Sequence, residues 1–313
     1  MSNTAKIGIV QKGAEHLDLN KSLPLMLSLI EEAGSQGTNL LVFGETWLTG
    51  YPAWLDYCPG VALWGNPATK EVFARMHRNS ISIPGPETEA IGELAKKHSM
   101  VIVAGANEKV LKGKFGGTLF NTLLIFDEEG NIANHHRKLM PTYTEKLLYG
   151  TGDGKGLAAV ETSFGRIGGL ICWEHWMSMT RQAMHDENEH IHIALWPKVH
   201  EMHQIASRQY AFEGRCFVIA AGQIMRTRNI PEALDVKPEW QNNPDHLLLN
   251  GGSCLIGPDG HYLLSPVFDK EEILYTSIPD TDEVMKERMT LDVSGHYQRP
   301  DVFSYSVNKN RYE

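Results

Sequence analysis

Along this chain, short apolar runs rich in Val and Ile alternate with stretches whose apolar positions recur at three- and four-residue intervals. The runs are KIGIVQ from Lys6, NLLVFGE from Asn39, MVIVAGANE from Met100, NTLLIFD from Asn121, IGGLICWE from Ile167, HIHIALWP from His190, CFVIAAG from Cys216 and SCLIGPDG from Ser253. Such runs predict strands covered on both faces, because a strand with one wet face would alternate apolar and polar residues. Between the first two lies SLPLMLSLIEEAGSQG, where Leu23, Met26, Leu27, Ile30 and Ala33 fall on one side of a helix. Further helices are predicted over Glu87–His98, roughly Met177–Glu189 and Met202–Gly214, each followed by a strand, a βαβ-like order. DEEGN (127–131), TSFGR (162–166) and GPDGH (257–261) predict hairpins, and hence some antiparallel pairing. Strands of both senses with interspersed helices predict a layered α/β architecture. No linker, repeat or low-complexity tract divides the chain, so one domain over 1–313 is expected, with an irregular arm from about Ser294 where the periodicity fades.

The 313 residues, 42% of them hydrophobic, suffice for a large core without covalent staples. Cys58, Cys172, Cys216 and Cys254 show no CxxC pair or short regular spacing, which argues against disulfides and zinc and for a reducing compartment. MSNTAKIGIVQKG passes almost directly into a strand-like run and lacks the basic and apolar segments of a secretory signal, so a cytoplasmic location is expected. No apolar stretch approaches the roughly 20 residues that span a bilayer, so no membrane association is expected. A net charge of -9, with Lys and Arg dispersed among acids, offers no basic stripe, and nucleic acid is not an expected partner.

Three polar interruptions carry candidate chemistry. Taken alone, Cys172 reads as a buried structural thiol. Its setting changes that reading: IGGL lets a backbone or substrate come close, and polar residues begin immediately after it, which marks the mouth of a strand. Glu45 likewise ends a strand-like run and enters a loop crowded with Trp47, Tyr51 and Trp54, residues that enclose rather than solvate and so raise a carboxyl's basicity. Lys138 lies between a presumed strand and Pro141; buried beside a carboxylate, it would favour a thiolate and stabilise negative charge developing on a substrate.

FGETWLTGYP (43–52), HRKLMPTYTEKL (136–147) and GGLICWEHW (168–176), in that order, resemble the three signature segments of the nitrilase superfamily of carbon-nitrogen hydrolases. The resemblance continues through IHIALWP, ASRQYAFEGRCFV and GHYQRPDVF, and CWEH with the segment after it is closer to the nitrilase branch than to aliphatic amidases or carbamoylases. It implies an αββα sandwich that pairs into a four-layer αββα-αββα dimer, with a homodimer or larger homo-oligomer expected. It also implies a Glu45-Lys138-Cys172 triad, with Glu145 as a second acid that holds the lysine or assists proton transfer. The expected activity is hydrolysis of a small-molecule nitrile to a carboxylic acid and ammonia, through a thioimidate and a thioester on Cys172, without a cofactor. The backbone N–H of Trp173 would join Lys138 in stabilising negative charge. An amidase using the same triad and a non-catalytic scaffold of the same fold are the rival readings.

Other features fit blander roles. His190 and His192 would share a strand face, but no third metal ligand is evident, so no metal is expected. GTGDGKG (150–156) fails the GxxxxGK[ST] spacing and reads as a flexible loop. Cys58, Cys216 and Cys254 read as buried thiols. Trp47, Tyr51, Trp54, Trp173 and Trp196 are candidate substrate-pocket residues, with core filling as the alternative.

Overall fold

A computed structural model of the chain describes residues 4–311. The first half runs β1 (Ala5–Val10), α1 (Leu19–Ser35), β2 (Leu40–Phe43), a short α2 (Trp54–Tyr57), α3 (Pro67–Asn79), α4 (Pro86–His98), β3 (Val101–Lys109), β4 (Leu119–Phe126) and β5 (Ile132–Arg137). The second runs β6 (Val160–Thr162), β7 (Gly165–Ile171), α5 (Ser178–His185), β8 (Ile191–Leu195), α6 (Glu201–Gly214), β9 (Phe217–Ala221), β10 (Ile224–Arg226), β11 (Leu247–Ile256), β12 (Tyr262–Phe268), β13 (Ile273–Ile278) and α7 (Asp282–Arg288).

Among the described residues the strands form two sheets, one ordered β13-β1-β2-β3-β4-β5 and the other β10-β11-β9-β8-β7-β6, with β12 paired to β11. Each has a parallel centre, β1-β2-β3 and β7-β8-β9, flanked by antiparallel strands. The three turn signals form the β4–β5, β6–β7 and β11–β12 hairpins.

Alternate residues of the first sheet serve two cores. Ile7, Ile9, Val42, Val103 and Ile125 face the second sheet, while Leu41, Phe43, Ile102 and Phe126 pack with Met26, Ile30 and Ala33 of α1 and Ile91 and Ala95 of α4. With both faces covered, the apolar run is continuous rather than alternating. On the far side, α5 and α6 contribute Met184, Ala206, Tyr210 and Ala211 to the core of the second sheet. The result is an αββα sandwich.

Several details differ from the sequence expectation. The buried line of α1 is Ser22, Met26, Leu29, Ile30 and Ala33, with Leu23 and Leu27 half-buried on its shoulders. α5 stops at His185, well before Glu189, because the chain then turns through Asn188 in a left-handed conformation (φ 56°). α3 gave no signal because it buries only Val72 and Met76 among charged neighbours. Beyond α7 the described residues contain no helix or strand, as expected of an arm, and the arm is tied down by Lys309 on Glu187 (2.5 Å) and Arg311 on the His135 carbonyl (2.5 Å). No helix of the described residues is long and apolar enough to cross a membrane.

At Gly92, α4 meets the turn of the β4–β5 hairpin backbone to backbone: a Cβ on Gly92 would lie 2.4 Å from the Gly130 carbonyl oxygen. Gly→Ala inside an exposed helix is ordinarily stabilising by about 0.5–1 kcal/mol. Here Gly92→Ala is expected to destabilise by about 1–3 kcal/mol, read from the urea midpoint, because the added methyl forces the hairpin off the helix.

Candidate active site

The first site residue sits where β7 gives way to a tight turn. Cys172 begins the turn Cys172–Trp176 and has a left-handed backbone (φ 52°), unusual for a residue with a side chain. The flanking chain holds it there. The buried Glu174 carboxylate accepts from Ile171 N–H (2.7 Å), from Leu139 N–H (2.8 Å) and from His136 Nε2 (2.9 Å), tying the end of β7 to the segment that carries Lys138.

Lys138 follows β5 and is fully buried between two carboxylates, donating to Glu45 Oε1 (2.9 Å) and to Glu145 Oε2 (2.7 Å) and Oε1 (3.1 Å). Glu145 lies in the turn Tyr143–Leu147, where it also accepts from Thr142 N–H (2.9 Å) and the Tyr51 hydroxyl (2.9 Å). Glu45 follows β2, and Asn121 Nδ2 on β4 donates to its Oε1 (2.7 Å) while Gln223 Nε2 holds its carbonyl (2.7 Å). The turn fits only because β3 carries Gly105, where a Cβ would lie 2.2 Å from the Gly44 carbonyl oxygen. GTGDGKG is no loose loop: Gly152 N–H donates to the Lys138 carbonyl (2.8 Å) and Asp153 caps the following turn, so the segment pins the lysine's backbone.

Burial pushes the Glu45 carboxyl up to about 7, with Glu145 adding to the rise and Lys138 and Asn121 opposing it. Burial alone would lower the Lys138 ammonium, but the negative groups around it hold it well above the ordinary lysine range. Burial and then the Glu45 charge raise the Cys172 thiol, against Lys138 and the Trp173 N–H that faces it. Glu45 Oε2 has no hydrogen-bond partner, so this fixed cluster keeps one free acceptor oxygen.

Cys172 and Glu145 open onto a cavity of about 270 Å³. Tyr51 and Trp173 line it, the latter exposed at its mouth. The other three aromatic candidates lie off its wall. Trp47 packs on Phe43 and donates to the Lys12 carbonyl (2.7 Å), Trp54 fills a separate core, and Trp196 stacks between His175 and His203 behind the cavity. For Trp47 and Trp54, indole area is core area because the loop after β2 folds inward. Cys58, Cys216 and Cys254 are buried free thiols outside the cavity lining, and burial pushes Cys58 to about 11 and Cys254 to about 12.

A chain of buried groups that sequence reasoning missed supports Cys172 from behind. His175 Nδ1 meets the Cys172 carbonyl (2.7 Å), its Nε2 meets His192 Nε2 (3.0 Å), His192 Nδ1 meets Glu189 (2.9 Å), and the Tyr210 hydroxyl donates to Glu189 (2.6 Å). Burial keeps both imidazoles neutral, lowering His175 to about 3 and His192 well below its usual value. The hydrogen-bond pattern assigns the protons. A carbonyl only accepts, so His175 is protonated on Nδ1 and accepts at Nε2. His192 then donates from Nε2 and accepts at Nδ1, which leaves Glu189 to donate as a neutral acid, in keeping with a carboxyl that burial holds well above the usual range. The sequence signal was the His190/His192 pair, for which a structural or hydrogen-bonded role was expected over metal; His192 is committed to this chain. A Gln amide donates as the neutral acid does, so Glu189→Gln is expected to keep most activity, whereas Glu189→Leu strands His192 and costs about 1–3 kcal/mol in urea unfolding. Equal damage from both would contradict the proton assignment.

Residues 6–284 match the carbon-nitrogen hydrolase family model. A "Nitrilase 2" from an unknown prokaryotic organism is 35% identical over 97% of this chain and 92% of its own length. An aliphatic nitrilase of Sinorhizobium fredii (strain HH103) is 33% identical over 97% of this chain and 96% of its own. The crystal structure of a carbon-nitrogen hydrolase from Helicobacter pylori G27 superposes with a TM-score of 0.69 at 22% identity, covering 95% of this chain and 96% of that one. The chain therefore belongs to the carbon-nitrogen hydrolase family of the nitrilase superfamily, and its chemistry is hydrolysis of carbon–nitrogen bonds.

Proposed function

We propose that this protein is a nitrilase, converting a small organic nitrile and two waters to a carboxylic acid and ammonia. The observation that carries the proposal is the free Oε2 of Glu45, on a carboxyl poised near 7, in a cluster with a fixed ammonium and a thiol that opens onto a cavity. A base is most effective when its pKa lies near working pH. Glu45 takes the Cys172 proton as Sγ adds to the nitrile carbon, and the nitrogen is protonated to give a thioimidate. Water activated by Glu45 adds to that carbon, ammonia leaves, and a thioester remains. A second water releases the acid and restores the thiol. Lys138 and the Trp173 N–H stabilise negative charge developing at the reacting centre, and Glu145 keeps Lys138 in place and charged. The relatives named nitrilases support nitrile over amide as substrate.

We also propose a homodimer that places two sandwiches back to back. α5 and α6 expose Met179, Met202, Ile205 and Phe212, more apolar side chain than a free helical surface needs.

Cys172→Ala is expected to abolish ammonia release while the unfolding midpoint stays within about 1 kcal/mol of the parent, since it removes only a sulfur at a cavity wall. Ammonia release measured across aliphatic, aryl and arylaceto nitriles and their amides tests substrate class; activity confined to amides would overturn the nitrile reading. The base must be ionised, so kcat/KM is expected to rise tenfold per pH unit up to about 7 and then level off. Glu45→Gln should remove that limb together with the activity.

A further inference from the structure

Two lysines stand near the reacting centre in opposite circumstances. Lys138 is closed between Glu45 and Glu145, which already compensate its charge. Lys198, just beyond the end of β8, lies on the wall of the cavity that holds Cys172, and among the described residues no carboxylate forms an ion pair with it. Its Nζ donates to two neutral oxygens, the Tyr57 hydroxyl and the Leu248 carbonyl, both at 3.2 Å. An ammonium has three N–H bonds, so one is unspent, and Lys198 touches only neutral acceptors, with the wall carboxylate Asp56 acting on it at a distance rather than through an ion pair.

The surroundings strengthen the bias toward an anion. A second ammonium, Lys237, lies 5.9 Å from the centre of the same Tyr57 ring that Lys198 faces at 6.0 Å. Of the acids on the wall, Glu145 is committed to Lys138, and Asp56 accepts from the Thr144 hydroxyl (3.3 Å) without pairing to Lys198. The lysine's backbone is also fixed in place. Pro197 precedes it, and its carbonyl meets His203 Nδ1 (2.6 Å), whose ring stacks on Trp196 at 4.3 Å. A charge on a pinned backbone recognises a ligand with little ordering cost.

The cavity, about 270 Å³, is smaller than the roughly 300–1,000 Å³ of pockets for drug-sized ligands, so little chain fits between the sulfur and the ammonium. We propose that Lys198 sets the specificity of this cavity and that the substrate is a short cyano-carboxylate, its carboxylate bound by Lys198 and its nitrile carbon presented to Cys172. This rests on the nitrile reading above and narrows it.

The test compares 3-cyanopropanoate with 4-oxopentanenitrile, in which a methyl group replaces one carboxylate oxygen at nearly constant shape. The parent enzyme is expected to favour the anion by about 10- to 100-fold in kcat/KM, the range of one charged hydrogen bond. Lys198→Met, which keeps the stem and removes the charge, should collapse that ratio toward one through KM, and Lys198→Arg should retain part of it. No preference in the parent, or equal losses on both substrates in Lys198→Met, would overturn the proposal and leave a structural lysine. If neither nitrile releases ammonia, the nitrile reading fails by itself, and the corresponding amide pair then reads Lys198 separately: an anion preference abolished by Lys198→Met supports the assignment, and its absence overturns it. Inactivity toward all four compounds overturns both.

Discussion

The site depends on one buried cation shared by two carboxylates. Taking Lys138, Glu45 and Glu145 out of water costs several kcal/mol per ion, and mutual attraction offsets this only when the geometry is tight and the remaining lone pairs are satisfied. The surrounding hydrogen bonds meet that condition at every carboxylate oxygen of the cluster but Glu45 Oε2: Asn121 donates to Glu45 Oε1, Tyr51 and Thr142 N–H to Glu145, and Gly152 N–H to the Lys138 carbonyl. With two carboxylates to one ammonium, the cluster carries a surplus of negative charge. That surplus keeps Lys138 protonated and Glu45 basic, so the electrostatics that stabilise the cluster also prepare it for proton transfer.

The sandwich brings these side chains together. Glu45 follows a strand of one sheet and Cys172 a strand of the other, each strand lying in a parallel centre, and Lys138 leaves the hairpin at the edge of the first sheet. Glu174 links the two sheets at this point, with one carboxylate on backbone groups from the ends of β5 and β7. The neutral Glu189–His192–His175 chain then fixes the strained Cys172 backbone from below the second sheet. Rigidity comes from two buried acids: charged Glu174, which accepts backbone N–H bonds, and neutral Glu189, whose chain through His192 and His175 ends on the Cys172 carbonyl.

Much of this was legible in the chain. Continuous Val/Ile runs declared strands covered on both faces, and three turn signals placed the hairpins, because these features are local. Glu45 and Cys172 stood out as polar residues at the ends of apolar runs, and Lys138 stood out between a presumed strand and Pro141. Burial alone would not have separated the thiols, since Cys172 and Cys58 are each 4% exposed; position at a strand mouth did. What stayed hidden was long-range. Glu174, Asn121 and Glu189 look like ordinary polar residues until folding gives each a partner far away in sequence or across a sheet. Trp47, Trp54 and Trp196 misled as pocket walls because an indole has the same composition signature whether it faces a ligand or a core; the inward fold of the loop after β2 places the first two, and stacking between His175 and His203 places Trp196.

The central claim is that Cys172 bonds covalently to substrate beside this cluster. Acid quenching during turnover of a hydrolysed substrate, followed by peptide mass spectrometry, tests it most directly. The account predicts a thioimidate- or acyl-sized mass gain on the peptide bearing Cys172 and none on those bearing Cys58, Cys216 or Cys254. Sustained turnover with the Cys172 peptide unmodified, or an adduct on another thiol, would contradict it.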